Sequence, residues 1–136
     1  MGGARLSPFL LDTHVWFWHL SGSDRLPAGL RRAIDETDDP PWLSPISIWE
    51  LGMLAKKRRV EIDRPYREWT KEALIRFPVE EAPLTHEIAV VSGEIDLPYP
   101  DPADRFLAAT AIVHGLTLLT VDRRLSRAKG VRTRSR

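Results

Sequence analysis

The 136-residue sequence contains no cysteine, which excludes a disulfide framework, a thiolate metal site and a cysteine nucleophile. It also lacks a Gly-rich phosphate loop and a nucleophile elbow, so two common routes to phosphate and ester chemistry are closed. Long apolar runs are missing: the first, from Pro8, stops at Asp12, too short for a signal-peptide core or a membrane span. The expectation is a cytoplasmic protein with no membrane association. A surplus of one charge sign is absent as well, since the formal net charge is +1, and attraction to nucleic acid would have to come from local clusters. The length suits one domain with a single core.

What is present is an alternation of short apolar runs and helical patterns. Pro8-Phe9-Leu10-Leu11 reads as a strand buried on both faces, ending on Asp12. Thr13 to Leu20 reads as a helix capped by Asp12 or Thr13 and closed by Ser21-Gly22. Its residues Val15 to Trp18 sweep about 300° at 100° per residue, so either a second helix or a partner must cover an aromatic. Further helices are expected over 27–35, 45–57, 66–77, 86–93 and 101–114. Strands are expected at 42–44, 79–84, 116–122 and 131–133, the second and last at sheet edges. Together these predict an α/β fold, a parallel sheet between helical layers. Residues 1–7 show no period and are expected to be a flexible N-terminus.

Four acids stand out by position. Asp12 and Asp122 each end an apolar strand and would emerge on one edge of a parallel sheet, where such sheets bind ligands, although either could be a turn or helix cap. Pro45 sets the helix start at Ser44, which moves Glu50 beyond a capping role. Stepping 100° per residue from Ile46 puts Trp49 at about 300°, Met53 at about 340°, Glu50 at about 40° and Leu54 at about 80°. A carboxylate inside that apolar arc is costly unless it pairs with arginine or a metal. In Asp101-Pro102-Ala103-Asp104 the first acid makes an N-cap and Asp104 takes the third helical position. Capping explains both, yet Asp104 opens an alanine-rich helix able to approach the sheet closely. Carboxylates without cysteine or a histidine pair at i, i+4 form a hard oxygen donor set suited to Mg²⁺ or Mn²⁺.

Leu11-Asp12-Thr13-His14, Ser47-x-Trp49-Glu50, Asp101-Pro-x-Asp104-Arg105-x-Leu107-x-Ala109 and Leu119-Thr120-x-Asp122 follow one another in this order. The series resembles the PIN domain in its VapC-type toxin form, over the span 8–133, with 134–136 a basic C-terminal end. The resemblance implies a PIN-like three-layer α/β/α sandwich with a central parallel sheet of four or five strands. It further implies an acidic pocket holding Mg²⁺ or Mn²⁺, endoribonuclease activity, homodimerisation and neutralisation by a cognate VapB-like antitoxin. Carried over by position, Asp12, Glu50, Asp104 and Asp122 would be the catalytic, metal-holding acids, with Thr13, Thr120 and Asp101 in support. Ala103 stands where these toxins often carry phenylalanine, and Asp104 is preferred to Asp101 as the inward acid for its place before the Arg-x-Leu-x-Ala pattern. Lys56, Lys57, Arg58, Arg59, Arg105 and Arg123 are candidates for holding an RNA backbone. The competing expectations are a non-catalytic PIN-like module that binds RNA or protein and an RNA-processing nuclease without an antitoxin. An aspartate-nucleophile phosphatase would need a second acid where His14 stands.

Overall fold

The computed structural model describes residues 7–136. Five short strands, β1 (Phe9–Leu11), β2 (Trp42–Leu43), β3 (Glu80–Glu81), β4 (Thr117–Leu119) and β5 (Thr133–Arg134), form one sheet in the order β3-β2-β1-β4-β5. Every pairing is parallel. The helices are α1 (Thr13–Ser21), α2 (Ala28–Asp35), α3 (Pro45–Lys56), α4 (Tyr66–Arg76), α5 (His86–Glu94), α6 (Pro102–His114) and α7 (Arg123–Ser126).

Alternation along the two central strands divides the core. Leu10 lies beside Leu118, and Leu11 beside Leu119. Leu10 and Leu118 join the cluster under α5 and α6, with Ile88, Leu107, Ala108 and Ala111. Leu11 and Leu119 join the opposite cluster, with Val15, Trp16, Leu30, Ile34 and Leu51 from α1, α2 and α3. All four leucines are fully buried, which is why these strands are apolar without alternation. The alanines of α6 let its backbone lie close to the sheet, and Gly115 (φ 65°) closes that helix in the left-handed conformation where glycine carries no steric cost.

The strand order creates the site. From β1 the chain crosses to β2 on one side, and from β4 to β5 on the other. The carboxyl ends of β1 and β4 therefore flank a switch point, the place where open α/β sheets leave a crevice.

Several boundaries differ from expectation. Ser7 is buried, its Oγ accepts from the Phe9 amide at 3.3 Å and its carbonyl accepts from the Trp42 indole at 2.9 Å, so it belongs to the fold. The rest of the expected flexible segment, 1–6, lies outside the described residues. β4 stops at Leu119 because the Thr120 hydroxyl accepts from the Asp122 amide at 3.0 Å, turning the chain out of the sheet. The turn leads into α7, too short to show a period in sequence. The last strand sits at Thr133–Arg134 rather than 131–133, and Arg136 packs so closely on Gly29 that a Cβ there would lie 2.7 Å from its carbonyl carbon. The aromatic excess of α1 is covered by a second helix: Trp16 is fully buried, and Trp69 of α4 packs against both Trp16 and Phe17.

Candidate active site

Asp12 follows β1 directly and is buried to 7% exposure. Its Oδ1 accepts from the Thr13 amide at 2.7 Å, capping α1, and its Oδ2 accepts from the Thr120 hydroxyl at 2.6 Å. Burial raises its pKa against the lowering pull of these two bonds. Thr13, itself fully buried, donates its hydroxyl to Ser47 of α3 at 3.1 Å. A chain of small hydroxyls thus ties the ends of β1 and β4 to the first turn of α3.

Glu50 lies one turn further along α3, half-buried at the crevice. Its pKa is raised by burial first, with Asp12 and Asp101 adding repulsion and the Thr13 hydroxyl opposing. The sequence argument reached it through the wrong neighbours. Trp49 is 51% exposed, and the buried residues of α3 are Ser47 and Leu51. Glu50 therefore sits on the shoulder of the buried stripe, where it borders a polar crevice.

Asp101 and Asp104 separate into two roles. Asp101 is the N-cap of α6, its Oδ1 accepting from the Asp104 amide at 3.1 Å. Asp104 points inward with 6% exposure. Its pKa is pushed up to about 7, by burial first and then by the charges of Asp101 and Asp12. The Tyr99 hydroxyl is a polar neighbour that lowers it, though the two fall short of hydrogen-bond geometry.

Asp122 serves two ends. Its Oδ1 accepts from the amides of Arg124 and Leu125, capping α7, and its Oδ2 lies 3.3 Å from the Arg124 guanidinium. These contacts hold its carboxyl below the ordinary range despite some burial. Its charge still reaches Asp12 and Asp104. His14 lies near enough to Asp12 and Glu50 that a positive charge on it favours their ionised forms.

Among the described residues no three of these acids stand close enough to close around a metal ion as they are. The chemistry of the set nonetheless fits one. Among the described residues Asp12, Glu50 and Asp104 have no arginine or lysine partner within salt-bridge distance, all three are shifted toward neutrality by burial and by repulsion from neighbouring acids, and every donor is a hard oxygen. A divalent cation is the group that relieves such a cluster.

The basic residues scatter. Arg105 turns inward and donates to the carbonyls of Ser92, Ile95 and Leu97 at 2.9–3.2 Å, fastening the α5–α6 connection. Lys56 and Arg58 line a separate groove of about 1070 Å³ between α1, α3 and α4, with Phe17, Trp49, Tyr66 and Trp69. None of the four acids borders that groove. Lys57, Arg59 and Arg123 are exposed.

The fold, the switch-point crevice and its acids can be set beside known proteins. The PIN domain family model matches residues 9–131. The chain belongs to the PIN domain family. Within it, the chain is 34% identical over 121 residues to ribonuclease VapC22 of Mycobacterium tuberculosis, covering 88% of this chain and 91% of that protein. Its fold is that of VapBC from Salmonella typhimurium, solved bound to DNA, at TM-score 0.70 and 21% identity, with 96% of this chain and 98% of that one covered. VapBC2 from Rickettsia felis, bound to a fragment of promoter DNA, matches at TM-score 0.68 and 15% identity over 93% and 96% of the two chains. By its likeness to VapC22, this PIN chain is of the VapC type. No helix among its described residues is long and apolar enough to cross a membrane.

Proposed function

We propose that this chain is the toxin of a toxin–antitoxin pair and hydrolyses RNA phosphodiester bonds with Mg²⁺ or Mn²⁺. The observation that carries the reading is the uncompensated carboxylate cluster at the β1/β4 switch point, with Asp104 pushed up to about 7. Asp12, Glu50 and Asp104 would hold the ion, and Asp122 would join them or act through its charge. When bound, the ion supplies Lewis-acid polarisation of the phosphate and an acidified water. The Thr13 amide and the Thr120 hydroxyl fix the Asp12 carboxylate from both sides, so one donor is set in place before anything binds. Glu50 and Asp104 carry no comparable bonds and keep their oxygens for the site. A carboxylate of the set not taken up by the ion would accept the proton of the attacking water, and one with a raised pKa would hold it better near neutrality.

The antitoxin in this reading is supported by the VapC22 likeness and by fold neighbours solved as VapBC pairs. A homodimer belongs to the same reading, and sedimentation of the purified chain checks it. The enzymatic claim is tested by incubating the purified chain with RNA and Mn²⁺. Cleavage is expected, lost on chelation and lost in a folded Asp104→Asn variant. An Asp104→Asn variant that cleaves as the wild type does would overturn the assignment.

A further inference from the structure

Two side chains at the mouth of the crevice take no part in holding an ion. Tyr99, in the connection between α5 and α6, has a buried hydroxyl with no hydrogen-bond partner among the described residues, and Asp104 raises its pKa by adjacent charge, after burial. Arg124, the second residue of α7, stacks on the other part of the same ring, its guanidinium carbon 4.1 Å from the centroid. One of its terminal nitrogens lies 3.3 Å from Asp122 Oδ2. The side chain is nevertheless 60% exposed, so most of its donors face solvent.

A guanidinium carries five N–H donors in a rigid planar fork matched to phosphate. A free arginine loses much rotamer freedom on binding. This one is already oriented by a ring beneath it and a carboxylate beside it, which is how preorganisation lowers the cost of binding. Its position also answers an electrostatic need. The acids repel a polyanion, and the rim needs a cation that they do not fully neutralise. Arg105 does not supply it, because its guanidinium is taken up by backbone carbonyls. Lys56 and Arg58 do not either, because they line the separate groove.

We propose that Arg124, stacked on Tyr99 and tethered by Asp122, grips a phosphate of the RNA beside the carboxylate cluster, with Tyr99 as its positioning residue. The inference rests on the ribonuclease reading and concerns substrate binding alone.

The test uses the full chain carrying Asp104→Asn, so that RNA is not consumed, and a fluorescein-labelled single-stranded oligoribonucleotide of mixed sequence. Anisotropy is followed across a salt series of about 50 to 200 mM. Arg124→Ala is expected to weaken binding about tenfold and to reduce the slope of log K against log salt by about 0.7, the loss of one phosphate contact on a single strand. Arg124→Lys is expected to keep the slope while losing part of the affinity, since an ammonium keeps the charge without the fork. Tyr99→Leu should weaken binding a few-fold with the slope retained, Tyr99→Phe should bind like its parent, and Tyr99→Leu should add little to Arg124→Ala, because the ring acts through the arginine. With Asp104 restored, Arg124→Ala is expected to raise KM by more than it lowers kcat. A folded Arg124→Ala protein with the parent's affinity and slope overturns the inference, as does a variant impaired only in binding a protein partner. A parent that shows no salt-dependent RNA binding overturns the ribonuclease reading beneath it.

Discussion

Helix α3 borders two depressions of opposite character. On one side Ser47 and Glu50 face the crevice at the ends of β1 and β4, where acids are buried, close and mutually repelling. On the other, Trp49, Gly52, Met53 and Lys56 face a groove floored by Tyr66 and Trp69. The groove is well satisfied internally. Tyr66 donates to the Ile48 carbonyl at 2.6 Å, its ring lies so close to Gly52 that a Cβ would approach it to 2.9 Å, and it stacks on Trp69. The crevice is not, since Asp12, Glu50 and Asp104 have no arginine or lysine partner among the described residues. Volume favours the groove, while chemistry favours the crevice. Cavity size and catalytic potential are thus separated across one helix, and the unrelieved electrostatics mark the site.

The sharpest break in this contrast is Asp104→Asn, expected to lower cleavage on the order of 10³-fold or more, as for a group acting in the transition state. The folded variant should keep a normal circular dichroism spectrum. Thr120→Val removes the donor to Asp12 and the acceptor of the Asp122 amide, and a loss of about 10- to 100-fold in activity is expected, the scale for partners that orient metal ligands. Asp122→Ala is expected to cost less activity than Asp104→Asn, together with about 1 kcal/mol of stability as a lost cap of α7, read by denaturant unfolding. Trp49→Ala, in the groove, is expected to change the cleavage rate by no more than about twofold, as surface substitutions away from a site do. A large catalytic loss there would dissolve the distinction between the two faces.

Metal-free stability gives a further test with a definite sign. The folded-state pKa of Asp104 is pushed up from the ordinary 3.8 to about 7, and those of Asp12 and Glu50 are raised too. The folded chain then binds more protons than the unfolded one between those values, so stability falls as pH rises through that window. Melting in chelator should show a higher midpoint near pH 5 than near pH 8. Asp104→Asn should flatten the difference, and Mn²⁺ should shrink it by binding the ionised form.

Much of this was legible in the sequence. Leu10-Leu11-Asp12 and the β4 leucines announced strands buried on both faces, and a carboxylate at the end of each pointed to the shared edge. The spacing Asp101-Pro102-x-Asp104 allowed both acids to cap, and only the family pattern after Asp104 favoured it as the inward one; in the structure Asp101 is the cap and Asp104 is buried. Glu50 was reached through an arc that included Trp49, which is exposed. Glu50 itself lies where the buried stripe ends. Helix α7 escaped because four residues carry no period. Arg105 was misjudged as a surface cation, since its three carbonyl partners lie 8 to 13 residues earlier in a connection with no regular pattern. Arg124 and Tyr99 are 25 residues apart, and only the folded turn after β4 brings them together.

The proposed cation site is built on Asp104, whose pKa is pushed up to about 7 by burial and the neighbouring acids. Calorimetric titration of Mn²⁺ into the chelator-stripped chain, in buffers of different ionisation enthalpy, tests it most directly. The expected result at pH 7 is binding with release of protons, since ligand carboxylates must ionise, the release fading as pH rises and both signals lost in Asp104→Asn. Binding without proton release, or an Asp104→Asn variant that binds Mn²⁺ as the wild type does, would contradict it.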